Sequence, residues 1–226
     1  MNFRFIALLL IPAFLIACES TPREPEFSDD SVIMDRLHRV TNARVGVAYL
    51  DPDADFSQFE KILLDPLDMS KTQIVQPNRA NTSVAGNRPW ELTDNDRETM
   101  QRVFAEVFTR ELQETGDYTV VTEPGPGVLR ISATVTQIAP NASRDDLRSR
   151  PAGRSRVYTE GAGSMAIAFG FSDSESGEII AVVKDARSGS PTWGVNNSVT
   201  NLSDVRFMFA RWARMVRARL DIAHGY

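Results

Sequence analysis

Residues 128–139 alternate cleanly. Leu129, Ile131, Ala133 and Val135 fall on one side, and Arg130, Ser132, Thr134 and Thr136 on the other. A period of two sends successive side chains to opposite faces of a strand, so this pattern predicts a half-buried antiparallel strand. Residues 164–172 repeat it with a sharper contrast. Met165, Ile167, Phe169 and Phe171 share one face, and only Ala166, Ala168 and Gly170 stand opposite. A turn at residues 173–177 (DSESG) and a second apolar run at 179–186 complete a β-hairpin. A chain with this centre must build a sheet with one face covered.

The cover is legible as two helices. Thr93 can cap the first, with Asp96 reaching back, and Met100, Val103, Phe104, Val107, Phe108 and Leu112 follow at helical spacing until Gly116. The second is expected over 204–223, with Val205, Met208, Phe209, Trp212, Met215 and Val216 as its apolar stripe. Residues 45–50, 61–65 and 118–122 read as further strands. Lys61-Ile62-Leu63-Leu64 is apolar on both faces, which suggests a central position, and Pro66 ends it. Residues 70–89 read as a long polar loop. The fold class expected is α+β: an antiparallel-rich sheet of about five strands with two amphipathic helices on one face.

The N-terminus sets location. Arg4 precedes thirteen mostly apolar residues, 5–17, and a spanning helix needs about 20. The run therefore reads as a secretory signal core. It ends in Leu15-Ile16-Ala17-Cys18, and Cys18 is the only cysteine in the chain. This ending resembles the lipobox of bacterial lipoproteins. The resemblance implies a thioether-linked diacylglycerol on Cys18, cleavage before it, and an acylated new N-terminus. Glu19, rather than an aspartate resembling an inner-membrane retention signal, points to the inner leaflet of the outer membrane. The expected organisation is a signal peptide at 1–17, a lipidated, flexible tether at 18–44, and one periplasm-facing domain at 45–226. With Cys18 committed to lipid, packing alone must hold the fold, even in an oxidising compartment.

The stretch "YLDPDADFSQFEKILLDPLDM" (49–69), the stretch "FSDSESGEIIAVVKDAR" (171–187) and the Trp-containing last helix resemble a family of uncharacterised bacterial lipoproteins, domain of unknown function 3313. The shared motifs are strands, turns and a hairpin. The resemblance implies no catalytic residues.

Charge excludes one class of partner. The net charge is −5, and removal of 1–17 takes away one arginine and no acid. A general nucleic-acid binder needs a basic footprint that this chain lacks. Catalytic and metal patterns also fail. Asp51, Asp53 and Asp55 open like a calcium loop, but Phe56 and Ile62 occupy the positions that need glycine and a bidentate glutamate. A turn with Asx-type bonds is the better reading. His38 and His224 belong to no ligand-spaced cluster, and no nucleophile elbow is present. The expectation is no metal, no catalytic set, and no cofactor beyond the lipid on Cys18.

Binding features remain. Trp90 and Trp193 fall in loops, where exposed tryptophan is a common interface anchor. Arg206, Arg211, Arg214 and Arg217 lie outside the apolar stripe of the last helix, with Phe207 among them. Arg144, Arg148, Arg150, Arg154 and Arg156 make a basic connection between strands, diluted by Asp145 and Asp146. The candidate partner residues are therefore Trp90, Trp193, Phe207, Arg211, Arg214 and Arg217. The candidate partners are the membrane, an envelope protein or a cell-wall polymer. The function expected is non-enzymatic binding or assembly in the envelope. Two rivals are a hydrolase using carboxylates that the sequence does not single out, and a carrier holding a small apolar ligand between sheet and helices, beside Ala166, Ala168 and Gly170.

Overall fold

The computed structural model describes residues 24–77, 89–141, 158–195 and 198–226. Its strands in chain order are β1 (Phe27–Ile33), β2 (Leu37–Val40), β3 (Val47–Leu50), β4 (Lys61–Leu64), β5 (Gln73–Ile74), β6 (Thr119–Val121), β7 (Val128–Pro140), β8 (Tyr158–Glu160), β9 (Gly163–Asp173), β10 (Ile179–Ser188) and β11 (Trp193–Val195). The helices are α1 (Asp94–Arg110), continued by a π-turn to Thr115, and α2 (Ser198–Ala223). Nine strands form one sheet in the order β1-β2-β3-β10-β9-β7-β4-β6, with β5 added beside β7. β8 and β11 form a separate two-stranded ribbon.

The α+β class holds, and the sheet is larger and more mixed than the five antiparallel-rich strands expected. β4 pairs parallel with both β6 and β7, and β5 pairs parallel with β7. β5 falls inside the stretch read as a polar loop. Two residues are too few to show periodicity, so only the partner strand reveals it.

The alternation pattern positions the core. Phe169 on β9 packs against Phe108 of α1 (centroids 5.8 Å apart) and against Trp212 of α2 (6.5 Å). One side chain touching both helices puts both on the same face of the sheet. Phe104 of α1 meets Phe209 of α2 edge-on at 5.5 Å and joins the helices. α1 opens with the capping box read from sequence: Thr93 Oγ1 accepts from Asp96 N (3.2 Å), and Asp96 Oδ2 accepts from Thr93 N (2.9 Å). Ala166, Ala168 and Gly170 point to the other side of the sheet, away from the helices. The apolar-carrier reading needed a cavity beside these residues, between sheet and helices, and they do not border that space. A Cβ on Gly170 would stand 2.7 Å from Ser132 Oγ, so the chain is small there because strands β7 and β9 crowd their own open face.

The N-terminal strands are the main departure. Residues 27–40, expected within the tether, form β1 and β2 and extend the sheet edge beyond β3. Leu37 is 0% exposed. Arg36 ties the hairpin to the sheet by donating to Ile179 O and pairing with Glu178 and Asp51. The turn between the strands holds Met34 (φ 52°) and Asp35 (φ 61°), with Arg36 N donating to Ile33 O. Two successive left-handed residues make a tight hairpin turn, normally signalled by Asn-Gly or Asp-Gly.

Candidate functional site: an aromatic, basic rim and a distal cleft

The register of the strands gives the sheet two ends. β1 enters beside Val40, and β3 opposite Lys184; β10 finishes at Ser188, opposite the start of β9. β1 and β3 therefore begin in mid-sheet, near the level of Val183 and Lys184, and the chain reaches them from the side where the β8–β11 ribbon and the start of α2 lie. α2 runs back along the sheet, and its C-terminus reaches the opposite end, beside Tyr118 and the beginnings of β4 and β6.

At the entry end, Asp204 is the fastening. It is buried, and its carboxylate accepts from Ala162 N (2.6 Å) and Ser190 N (3.1 Å). One side chain from α2 thus fixes both arms at the base of the ribbon. Trp193 sits on that ribbon opposite Glu160 and is 72% exposed. Phe207, one turn along α2 from Asp204, is 39% exposed, and the Arg211 guanidinium lies 5.6 Å from its ring centre. Arg214 is exposed, with Nε donating to Ala210 O. Trp193 stands on the ribbon, while Phe207, Arg211 and Arg214 lie on the exposed side of α2, each farther along the helix from Asp204.

The other candidates lie differently. Trp90 is half-buried, and its backbone is held by the Gln76 side chain: Trp90 N donates to Oε1 (2.7 Å), and Nε2 donates to Trp90 O (2.9 Å). Arg217 turns between helices, pairing with Glu111 (3.0 Å) and Asp221 (2.6 Å). Arg206 pairs with Glu106. Cys18 and the five arginines of 144–156 lie outside the described residues.

The opposite end holds a constellation that the sequence reading left unassembled. A cleft of about 340 Å³ is lined by Lys61, Tyr118, Arg217, Asp221, His224 and Tyr226 among others. The Tyr118 hydroxyl donates to Asp221 Oδ1 (3.0 Å), while Arg217 Nη1 donates to Oδ2 (2.6 Å). His224 Nδ1 lies 2.8 Å from Leu220 O, and a carbonyl can only accept, so Nδ1 carries the proton. Tyr226 stacks on the imidazole. Tyr118, Asp221 and His224 are far apart in sequence or close to the terminus, so no local spacing marks them.

Chemically this is a clamp. Both oxygens of Asp221 are occupied. Burial, then the bond to Asp221, push the Tyr118 phenol above its ordinary pKa near 10. A phenol held neutral is a poor base or nucleophile at neutral pH. The stability consequence has a definite sign. A folded-state pKa raised above the unfolded value gives a contribution that is complete below about pH 10 and lost as pH rises beyond it. Tyr118→Phe should therefore flatten the alkaline limb of a stability-against-pH curve while leaving a penalty of about 1 kcal/mol near pH 7. Urea titrations between pH 7 and 11 check both.

The acidic turns behave as read. Asp51 Oδ1 accepts from Asp53 N, and Asp55 Oδ1 accepts from Ser57 N and Oγ. Those bonds hold the Asp55 carboxyl below its ordinary range. Among the described residues no three His, Cys, Asp or Glu side chains gather as a metal site, and no helix is long and apolar enough to cross a membrane.

Comparison with known proteins gives the family and little beyond it. No curated protein matches the sequence. Among solved structures, the hypothetical protein CT253 from Chlamydia trachomatis is 13% identical, with a TM-score of 0.40, covering 74% of this chain and 99% of that one. The PelC dodecamer from Paraburkholderia phytofirmans is 9% identical at 0.38, covering 75% and 97%. A minor lipoprotein from Acinetobacter baumannii is 13% identical at 0.34, covering 71% and 94%. Likenesses of this size establish neither a shared fold nor a shared activity. The family model described as Protein of unknown function (DUF3313) matches residues 28–216, from within the first strand to the last helix, and the chain belongs to that family.

Proposed function

We propose that this protein is a lipid-anchored envelope protein that acts by binding, held through Cys18 and facing the periplasm. The supporting observation is how soon the fold begins. Phe27 is already in the sheet, nine residues after the lipobox cysteine. At no more than about 3.6 Å per residue, that link reaches roughly 30 Å at full stretch. The domain then works within a thin layer at the membrane, where its effective concentration toward envelope partners is high. Two or three acyl chains make such attachment durable, as one does not. Glu19 favours the inner leaflet of the outer membrane. The partner is an envelope protein or a cell-wall polymer, with no cofactor besides the covalent lipid.

Crosslinking in living cells, read by mass spectrometry, tests this reading with Cys18→Ser as control. The expected result is one dominant partner that disappears with the anchor, and a Cys18→Ser chain found in the soluble fraction. A wild-type chain with no acyl mass, and membrane retention unchanged by Cys18→Ser, would sink the anchor. Crosslinks only to abundant neighbours would count against a specific partner.

A further inference from the structure

We infer that the entry end of the domain is seated on the bilayer that carries the Cys18 acyl chains, with Trp193 and Phe207 at headgroup depth and Arg211 against lipid phosphate. This rests on the lipidation reading and adds an orientation to it.

Three independent features converge on that end. The first is where the chain leaves the fold. Glu24 to Glu26 run into β1 from this side, so the eight residues between Cys18 and Phe27 draw this end toward the anchor. The second is the ribbon. Trp193 is the most exposed of the three tryptophans, yet it stands on paired strands whose base is held by the buried Asp204 carboxylate. The backbone that carries this uncovered ring is already ordered, so docking costs little backbone entropy. Indole is the side chain that settles best between water and hydrocarbon. The third is the exposed side of α2 in the two turns after Asp204, before the helix runs on toward the opposite end. Phe207 would be polar on an ordinary solvated face, and Arg211 stacks on it, joining an apolar ring to a cation that can meet phosphate.

Glu160 limits the depth. It is exposed and pairs with Trp193 across the ribbon. A carboxylate there stays in the headgroup layer, so the ring rests at the interface and does not enter the hydrocarbon. The orientation also assigns the other end. The cleft of Tyr118, Asp221 and His224 faces away from the membrane, and the crosslinked partner should meet that side.

The single cysteine makes the test direct. The chain from Cys18 onward is coupled through its thiol to a maleimide lipid in phosphatidylcholine–phosphatidylglycerol vesicles, with and without brominated acyl chains. The expected result is bromolipid-dependent quenching of tryptophan emission that Trp193→Phe largely removes, because Trp90 and Trp212 remain as internal reference. Phe207→Glu, an exposed change, should weaken the quenching without altering the unfolding midpoint. Equal quenching in wild type and Trp193→Phe overturns the orientation, as does a Trp193 that stays as open to aqueous acrylamide on vesicles as in solution. A photo-crosslinker at position 193 that captures a single protein in cells, in place of lipid, also overturns it. Chemical coupling keeps this result separate from the lipidation reading, which fails only if the cellular chain lacks acyl mass.

Discussion

Trp212→Ala is expected to lower the unfolding free energy by about 3–5 kcal/mol, a large share of the 5–15 kcal/mol that holds an ordinary domain together. Two losses add. Trp212 is 0% exposed and packs between Phe169 and Phe209, so truncation opens a cavity where sheet and helix meet. Its indole Nε1 also donates to Asp185 Oδ2 (2.9 Å), and Asp185 is a buried carboxylate on the helix-facing side of β10. That carboxylate further accepts from Gly46 N (3.2 Å) and pairs with Arg187 (2.9 Å). Removing one donor leaves charge less well satisfied in a dry place. Trp212→Phe separates the terms. It keeps much of the apolar volume and loses the hydrogen bond, so it should cost about 1–3 kcal/mol. Urea denaturation of the three proteins, with unchanged slopes, checks the ordering. A negligible effect of Trp212→Ala would put α2 the wrong way round.

Asp185 also shows where pattern reading stops. The alternation in β10 is legible until Val183, and then the inward positions become Asp185 and Arg187. Period alone gives no reason for two charged side chains to face the helices. Asp185 stays in the sheet because Trp212 and Gly46 donate to it and Arg187 pairs with it, and the two donors sit on other segments. β7, β9, both helices and the Asp173 turn were legible because each carries its signal locally. In that turn Asp173 Oδ1 collects Glu175 N and Ser176 N, and Gly177 supplies the left-handed residue (φ 74°). The candidate surface was legible in part. Arg211, Arg214 and Phe207 could be placed by helical phase, whereas Arg217 has the same phase argument but finds Glu111 on the π-turn after α1. Partner acids on another element are invisible to a helical wheel.

Truncation separates link from domain, and the two deletions should behave very differently. Removing residues 19–23 should leave the unfolding midpoint unchanged, because no strand of the sheet is touched. Removing 19–44 should cost more than about 3 kcal/mol, enough to leave a marginal domain largely unfolded. It strips β1 and β2, so β3 becomes an unpaired edge and loses its contact with β2 at Leu50 and Tyr49. The burial of Leu37 goes with it, worth about 1.5–3 kcal/mol alone. Arg36 no longer bridges Glu178, Asp51 and the Ile179 carbonyl, so the β3–β10 end loosens as well. The sequence hides this hairpin for physical reasons. β1 reads Phe-Ser-Asp-Asp-Ser-Val-Ile, with a register shift between Ser28 and Val32, and its turn places Met34 and Asp35 in the left-handed region without a glycine. A strand interrupted by a bulge and closed by an unfavoured turn draws its stability from its neighbours. Circular dichroism melts of the two truncated chains test the assignment. Matching midpoints for both would return residues 27–40 to the tether, lengthen the link from Cys18 by more than a dozen residues, and free the domain to leave the membrane surface.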